Sequence, residues 1–288
     1  MSLPGTFVDS SAGRIFVHRG GHGTPLVLIH GWMMSHYYFK PIVAQLAAEH
    51  EIIALDLPGH GESDKPSPAE FAYSLTAFAA LVDELMGTLG VASADVLGAS
   101  MGGGTALTLA ARHPSRVRKL VLAAAAAYPP PTLPLDAKLA LVPGIGPFVF
   151  KNVFGRREFE RACRQQSVRD PRSLDDAFID YYWDRFNRAG ARDAFYACMQ
   201  MLTSLPTENA DTARIVAPTL LVWGDEDRLV PLSRGKQLGR AIAGARLEVI
   251  PACGHMPFIE RPEQFLRAVR PFLSATQPAE QPRVAHSA

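Results

Sequence analysis

Short apolar runs recur along the chain, and each is bounded by turn residues and too brief for a helix. We expect these runs to be strands: "PLVLIH" (25–30), "EIIALD" (51–56), "ADVLGA" (94–99), "KLVLAAAA" (119–126), "PTLLVWG" (218–224) and "RLEVI" (246–250). Because the runs are continuously apolar and do not alternate with polar residues, both faces of each strand should be covered, as in a parallel sheet. An antiparallel hairpin that turns at residues 10–13 should precede them at the sheet edge.

Segments with helical spacing lie between most of these runs. In residues 72–90, leucine and phenylalanine recur near a 3.6-residue period, and similar patterns predict helices over 105–114, 232–244 and 261–274. Strands that alternate with helices indicate a right-handed succession of strand–helix–strand units. The sequence therefore predicts an α/β protein with a doubly wound sheet.

The alternation stops between residues 127 and 212, where no strand pattern is present and charged helical patterns dominate. We interpret this stretch as a helical cap inserted over the carboxyl edge of the sheet. The expected organisation is a core domain of residues 1–126 and 213–273, a cap of residues 127–212, and a disordered polar tail of residues 274–288.

Composition narrows the class of protein. Hydrophobic residues make up 48% of the chain and charged residues 20%, which is typical of a globular protein with a sizeable core. The net charge of +1 gives no reason to expect nucleic acid or an anionic membrane surface as a partner. No apolar run reaches the roughly 18 residues of a membrane span, and the first residues lack a secretory pattern. The three cysteines are scattered without disulfide or metal-ligand spacing, so we expect a cytoplasmic protein without a metal.

Ser100 stands in "DVLGASMGGG" (95–104), where a predicted strand runs into the next helix. With Gly98 and Gly102 it forms the pattern G-x-S-x-G, which is typical of a nucleophile elbow. A sharp strand-to-helix turn would lift the serine Oγ above the sheet, and a side chain at either glycine would collide with its neighbours. The alternative is a tight glycine turn that only packs a helix on a strand.

A serine nucleophile needs a base and a group that orients the base. In "LLVWGDEDRLVP" a strand ends at Asp225, Glu226 and Asp227, and the next strand is followed by His255. Both groups would lie at the carboxyl edge of the sheet, where open α/β sheets place their sites. We expect Asp227 to orient His255, Asp225 to hold its own loop and Glu226 to face water. Structural roles are expected at His30 and His60, and surface or cap positions at the remaining histidines, which are His18, His22, His36, His50, His113 and His286.

Serine chemistry also requires donors for the developing oxyanion. We expect these to be the main-chain N–H of Met101 and that of Trp32, in the loop "LIHGWMM". The apolar segment 139–154 of the cap could form an acyl pocket. The expected substrate contacts are Met33, Phe150, Phe195, Met199 and Met256. Met33 could instead only pack its loop against the core, and the cap residues could only pack the cap onto the core.

Five segments resemble the α/β-hydrolase superfamily across nearly all of residues 1–273. They are "HGW" (30–32), "DLPGHGES" (56–63), "GASMGG" (98–103), "WGDEDRLVP" (223–231) and "GHMPFIERPEQF" (254–265). The resemblance implies the α/β-hydrolase fold, with a mostly parallel eight-stranded sheet flanked by helices and a helical cap. It also implies Ser100 as nucleophile, His255 as general base and acid, Asp227 as orienting acid, and the N–H groups of Trp32 and Met101 as the oxyanion hole. Ala99 departs from many relatives, which carry histidine or asparagine before the nucleophile.

The activity that we expect is hydrolysis of carboxylic esters with small to medium apolar acyl groups, through an acyl-enzyme and without a cofactor. The partner would be a small-molecule ester, and a homodimer is left open. The first alternative is a carbon–carbon hydrolase of meta-cleavage products, which would need a cap arginine such as Arg185 or Arg188 for the substrate carboxylate. Against it, those enzymes carry an aromatic residue where this chain has Met256. An enol-lactone hydrolase, a cofactor-free perhydrolase and a slow ligand-sensing protein are the remaining alternatives.

Overall fold

The computed structural model describes residues 3–130, 138, 141–142 and 144–275. Eight strands form one sheet. Their bounds are β1 Thr6–Ser10, β2 Gly13–Gly21, β3 Thr24–Ile29, β4 His50–Leu55, β5 Ala94–Ala99, β6 Val117–Ala123, β7 Thr219–Gly224 and β8 Arg246–Ile250. All the strands predicted from apolar runs are present, and so is the predicted hairpin of β1 and β2.

The strand order is β1-β2-β4-β3-β5-β6-β7-β8. Strand β2 pairs antiparallel with both β1 and β4, and every other pairing is parallel. In parallel pairings the carboxyl ends of the strands meet at one edge, so the loops after β3, β5, β7 and β8 share that edge. This is the mostly parallel eight-stranded sheet that the sequence predicts.

Helices flank the sheet and connect its strands. The helices of the first half are α1 Lys40–Ala47, α2 Leu75–Thr88 and α3 Met101–Arg112. Those between β6 and β7 are α4 Gly146–Phe148, α5 Arg156–Arg161, α6 Asp176–Phe186 and α7 Ala191–Thr203, with π-helical turns at Val149–Val153 and Ala162–Ser167. The last are α8 Leu232–Ala241, α9 Pro257–Glu260 and α10 Pro262–Ser274. Short 3₁₀ turns occupy His36–Phe39, Pro114–Arg116, Pro171–Ser173 and Ala210–Arg214.

Two buried hydrophobic clusters make up the core. Strand residues of opposite parity belong to different clusters: Val27 and Ile29 to one, Leu26 and Leu28 to the other. Because successive side chains of a strand point to opposite faces, the clusters lie on the two faces of the sheet. Burial on both faces is the physical reason why the central strands are continuously apolar.

The helix predictions are correct in position, with shifts at their ends. Helix α3 begins at Met101, four residues before the predicted start at 105, since glycines 102–104 are helical although glycine is a poor helix former. Helix α1 was not predicted, although Lys40–Ala47 includes buried Ile42, Val43 and Leu46. The first residue of the expected tail, Ser274, still belongs to α10, and residues 276–288 lie outside the described residues.

The region between β6 and β7 is an inserted helical region, and its described residues form no strand. It contacts the loops at the carboxyl edge of the sheet: the Trp32 indole Nε1 donates a hydrogen bond to the carbonyl of Phe195 at 2.9 Å. Residues 139, 140 and 143 of the apolar segment 139–154 lie outside the described residues. Within the described chain, no helix combines the length and apolar character that crossing a membrane requires.

Candidate active site

Ser100 lies at a strained turn between β5 and α3. Its backbone has φ 53° and ψ −119°, a left-handed conformation that costs a non-glycine residue about 1–3 kcal/mol. The side chain is partly exposed, at the amino end of α3. A Cβ on Gly98 would lie 2.3 Å from the Gly102 carbonyl oxygen, and a Cβ on Gly102 would lie 2.1 Å from that of Ile29. The turn therefore requires both glycines of the G-x-S-x-G pattern for steric reasons.

Backbone strain concentrates at the carboxyl edge of the sheet. Among the described residues, the non-glycine residues with positive φ are Met33, Ser100, Ala124 and Ala252. Each follows the end of a strand: β3, β5, β6 and β8 respectively. Strained residues cluster at functional sites, because the surrounding fold must supply the energy to hold them. These strained residues therefore lie at the carboxyl edge of the sheet, where the sequence predicts the site.

Asp227 and His255 are hydrogen-bonded to each other. His255 Nδ1 lies 2.7 Å from Asp227 Oδ2, and both side chains are almost completely buried. The other oxygen, Oδ1, accepts the main-chain N–H groups of Leu229 and Val230, each at 2.9 Å. An ionised carboxylate can only accept hydrogen bonds, so Nδ1 of His255 must be the donor to Asp227. In the neutral imidazole, Nε2 then carries the free lone pair.

The three acidic residues after β7 have different surroundings. Asp225 Oδ1 accepts the N–H of Cys253 at 3.3 Å, so this carboxylate contacts the loop that leads to His255. Glu226 is exposed and pairs with Arg169 at 2.6 Å. Asp227 is the residue of the three that contacts the imidazole.

The structure brings Ser100 and His255 to the same edge without a hydrogen bond between them. Within the described chain, His255 bonds to Asp227 through its ring and to Ser167 through its N–H, and the Ser100 hydroxyl has no partner. Their neighbours Ala99 and Met256 belong to the same buried cluster. Catalytic hydrogen bonds are often long before a substrate binds and shorten in the complex.

The loop after β3 passes directly over Ser100. A Cβ on Gly31 would lie 3.2 Å from Ser100 Cβ and 3.8 Å from its Oγ. Neither the N–H of Trp32 nor that of Met101 has an acceptor among the described residues. Two unused N–H donors thus flank the serine, one from each loop that was expected to supply them.

His30 orients the peptide that carries one of these donors. Its Nε2 accepts the Leu57 N–H at 2.9 Å, so the proton is on Nδ1, which donates to the Gly31 carbonyl at 2.7 Å. Burial lowers the pKa of His30 to about 4, so the ring is neutral near pH 7. The Gly31 carbonyl and the Trp32 N–H belong to one trans peptide, and they point in opposite directions. The N–H of Trp32 therefore points away from the imidazole.

Asp56 connects this loop to the next one. Its Oδ1 accepts the main-chain N–H of His36 at 2.5 Å and faces His36 Nδ1 at 2.9 Å, while Oδ2 accepts the Glu62 N–H at 2.8 Å. Burial alone would raise the pKa of Asp56, but the hydrogen bond from His36 lowers it overall. The expectation that His36 is a surface or cap residue is wrong, because it is completely buried against this carboxylate; His50 is buried as well.

The expected substrate contacts share one buried cluster. Met33, Phe150, Phe195, Met199 and Met256 are all members of it. Phe150 stacks on Trp32 with ring centroids 6.5 Å apart, and the Phe195 ring packs edge-on against His60 at 4.9 Å. By contrast, Ile145, Phe148 and Val153 of the cap segment are about 60% exposed. The segment thus buries only part of its apolar surface.

The two cap arginines that could hold a substrate carboxylate already have a partner. Glu62 accepts one hydrogen bond from each arginine. Arg185 Nη2 donates to Oε1 and Arg188 Nη1 donates to Oε2, each at 2.5 Å. Arg185 also stacks on the Tyr181 ring, with its Cζ 3.4 Å from the ring centroid. Burial would raise the pKa of Glu62, but hydrogen bonds from both arginines lower it overall. Asp184 Oδ2 also lies 3.4 Å from Arg185 Nη1 and 3.3 Å from Arg188 Nη2, so two carboxylates balance the charge of the two arginines.

Sequence reasoning missed Glu260. This residue is 7% exposed, and it accepts the main-chain N–H groups of Gly254 and Arg169. The available signal was an acidic residue between two apolar stretches in "PFIERPEQF", five positions after His255.

Comparisons with known proteins agree with this architecture. Residues 24–262 match the family model described as alpha/beta hydrolase fold. The chain is 31% identical over 252 residues to a pimeloyl-[acyl-carrier protein] methyl ester esterase of Neisseria meningitidis, covering 85% of this chain and 91% of that protein. It is 30% identical over 277 residues to a 2-hydroxymuconate semialdehyde hydrolase of Pseudomonas sp., covering 92% of each. A solved meta-cleavage product hydrolase from Pseudomonas fluorescens superposes with a TM-score of 0.80 at 25% identity, over 93% of this chain and 97% of that one.

The sheet order, the strained serine turn and the matched residues lead to one assignment. The fold expected from the sequence is confirmed, and the relatives include both esterases and carbon–carbon hydrolases. The chain belongs to the α/β-hydrolase fold family.

Proposed function

We propose that this protein is a serine hydrolase that cleaves carboxylic esters of small to medium apolar acyl groups through an acyl-enzyme. The observation that carries the proposal is the buried contact between Asp227 and His255, at the same sheet edge as a serine on a strained turn. In the proposed organisation, residues 1–126 and 213–273 form the core domain and residues 127–212 the cap.

Each step of the proposed reaction uses a group already described. The Ser100 Oγ attacks the ester carbonyl while Nε2 of His255 accepts its proton, and Asp227 stabilises the imidazolium through Nδ1. The N–H groups of Trp32 and Met101 bind the oxyanion, and the amino end of α3 adds a favourable field. His255 then protonates the leaving alcohol. A water molecule repeats the sequence and releases the acid.

Two observations favour an ester over a carbon–carbon substrate. The meta-cleavage alternative needs a cap cation for the substrate carboxylate, and both Arg185 and Arg188 are already paired with the carboxylates of Glu62 and Asp184. The esterase relative, by its name, acts on a methyl ester. The carbon–carbon alternative is supported by the relative from Pseudomonas sp. and remains the second candidate.

A direct comparison of substrates separates these candidates. We expect turnover of a p-nitrophenyl ester series from acetate to octanoate, and negligible turnover of a 2-hydroxy-6-oxo-dienoic acid. Faster cleavage of the dienoic acid than of every ester would reverse the assignment.

A fluorophosphonate probe tests whether the protein is an enzyme or a slow ligand sensor. The probe reacts with a serine that an imidazole activates. We expect stoichiometric labelling of Ser100, located by peptide mass spectrometry, and none in Ser100→Ala. An unlabelled wild-type protein would favour a binding role. The cytoplasmic location, the homodimer, the absence of a cofactor and the five substrate contacts stay predictions from the sequence.

A further inference from the structure

A short segment of the inserted helical region contacts both loops that carry the proposed base and acid. The main-chain N–H of His255 donates to the carbonyl of Ser167 at 2.9 Å. Next to Asp227, the Arg228 guanidinium donates to the carbonyl of Gln165, also at 2.9 Å. The carbonyl groups of Gln165 and Ser167 thus hold the two loops that carry Asp227 and His255.

Glu260 joins this segment to the loop of His255. Its Oε1 accepts the N–H of Gly254 at 2.9 Å and faces the N–H of Met256 at 3.4 Å, so it contacts the residues on both sides of His255. Its Oε2 accepts the N–H of Arg169 at 2.8 Å. One side chain therefore links the cap segment and the catalytic loop, one oxygen for each.

The cap segment packs against the loop without an intervening side chain. A Cβ on Gly254 would lie 2.7 Å from the Arg169 nitrogen, 2.8 Å from Glu260 Oε1 and 2.9 Å from the Val168 carbonyl carbon. Only glycine allows this approach. The cap segment cannot shift against residue 254 without changing the environment of the adjacent His255.

Burying the carboxylate of Glu260 between the two segments costs free energy, because the charged group is removed from water. Burial raises the pKa of Glu260, and the N–H donors of Arg169, Gly254 and Met256 act in the opposite direction. A buried acid is weak evidence for stability, because well-packed apolar residues often stabilise a fold as well or better. An orienting role accounts for a buried carboxylate that spans two chain segments.

We propose that Glu260 is a positioning residue for His255, and that its carboxylate couples the position of the cap to the alignment of the imidazole. The inference rests on the proposed function, since it takes His255 as the general base. A misplacement of about 1 Å at a reacting group can cost about 100-fold in rate. Displacement of the cap at Arg169 would thus lower the rate of acylation without removing any catalytic group.

The variant Glu260→Gln tests this coupling at constant shape. An amide has one acceptor oxygen, so in either orientation its NH₂ group faces a main-chain N–H and one of the two links is lost. We expect kcat for p-nitrophenyl butyrate to fall about 10- to 100-fold with KM unchanged. Fluorophosphonate labelling of Ser100 should slow by the same factor. The matched control is Glu263→Gln, three residues further on an exposed position, which should stay within about twofold of wild type.

A second pair of variants breaks the link from the cap side. Arg169→Pro replaces the N–H that Glu260 accepts with a ring carbon, which also forces the carboxylate away from residue 169, whereas Arg169→Ala keeps the N–H; both lose the ion pair with Glu226. The preceding Val168 has φ −124° and ψ 154°, the extended conformation that a residue before proline adopts. We expect Arg169→Pro to show the loss of kcat and Arg169→Ala to show little. This pair decides the matter if Glu260→Gln does not fold.

The outcomes separate this inference from the proposed function. Wild-type protein that labels at Ser100, together with a Glu260→Gln kcat within about twofold of wild type, overturns the coupling alone. A loss of kcat that only follows a loss of folded protein, measured by circular dichroism, also overturns it, because a purely structural role would do the same. Failure of the wild-type protein to label at Ser100 overturns the proposed function.

Discussion

The imidazole of His30 donates a hydrogen bond to the carbonyl of Gly31 at 2.7 Å, in the peptide that ends in the N–H of Trp32. The donor atom is fixed because the other ring nitrogen accepts the N–H of Leu57. The N–H of Met34 also donates to the same carbonyl at 3.1 Å. The proposed oxyanion donor is thus held in place by a side chain that is completely buried.

We predict that His30→Gln lowers kcat by about tenfold or more with little change in KM, since an oxyanion donor acts mainly in the transition state. The side-chain oxygen of glutamine can replace Nε2 as the acceptor of the Leu57 N–H, but glutamine has no donor at the position of Nδ1. The shorter asparagine has an NH₂ group close to that position and can still donate to the Gly31 carbonyl. His30→Asn should therefore keep more activity. Affinity for an alkylboronic acid, which mimics the tetrahedral intermediate, should fall in parallel with kcat. Equal kcat values in the two variants and the wild type would exclude this role.

Burial of neutral His30 predicts a pH dependence of stability. Burial lowers the pKa of His30 to about 4 in the folded protein, below its ordinary value of 6.5. Between these values the unfolded chain binds more protons than the folded one, so the free energy of unfolding decreases as the pH falls from 6.5 to 4. The contribution of this one group is about 3 kcal/mol. Urea unfolding at pH 7.5, 6.5, 5.5 and 4.5 measures it, and His30→Gln should show a smaller decrease over this range.

Ser100→Ala is predicted to lower kcat for esters by about 10⁴–10⁶-fold, as in other serine hydrolases. Alanine is tolerated at least as well as serine by the left-handed backbone of the turn, so the midpoint of thermal unfolding should change little. His255→Ala should be about as severe. Steady-state kinetics together with thermal unfolding distinguish lost chemistry from lost structure, and near-wild-type turnover in Ser100→Ala would refute the nucleophile.

For Asp227→Asn we predict a fall in kcat of about 10⁴-fold, because the amide favours the wrong tautomer of His255. Oδ1 of Asp227 also accepts the N–H groups of Leu229 and Val230, and the amide oxygen of asparagine can still do so. The matched control is Asp225→Asn, two residues earlier, which contacts Cys253 and not the imidazole. Comparable losses of kcat in both variants would mean that loop structure, and not orientation of His255, is what was lost.

Glu62→Gln should reduce stability without reducing ester hydrolysis. The change removes a negative charge that pairs with both Arg185 and Arg188, and leaves these partly buried cations with the carboxylate of Asp184 alone. We expect the free energy of unfolding to decrease by about 1–3 kcal/mol. Urea unfolding and p-nitrophenyl ester kinetics on the same preparation provide the test, with Glu263→Gln as the exposed control. A strong loss of ester turnover would place Glu62 in the catalytic machinery, contrary to this account.

Local chemistry explains why so much of the fold was predictable. Continuous apolar runs locate every strand from β3 to β7, because strands covered on both faces exclude polar residues at most positions. The edge strand β8 was also located, although only Ile250 of its five residues is buried. Gly98 and Gly102 identify the turn at Ser100, since a Cβ at either would overlap backbone atoms. Helix α1 was missed because Lys40–Ala47 spans only eight residues, which is too few to show a repeated helical period.

The sequence by itself determined the strands and the serine turn, because each depends on residues that are close in the chain. Only the tertiary structure decided that Asp227, and not Asp225 or Glu226, contacts His255, and that Glu62 pairs with both Arg185 and Arg188. It also decided that His30 and Glu260 bond to the loops of the site. These pairings join residues up to 126 positions apart. They arise when parallel strands bring distant loops to one edge, and no local pattern encodes which polar groups meet there.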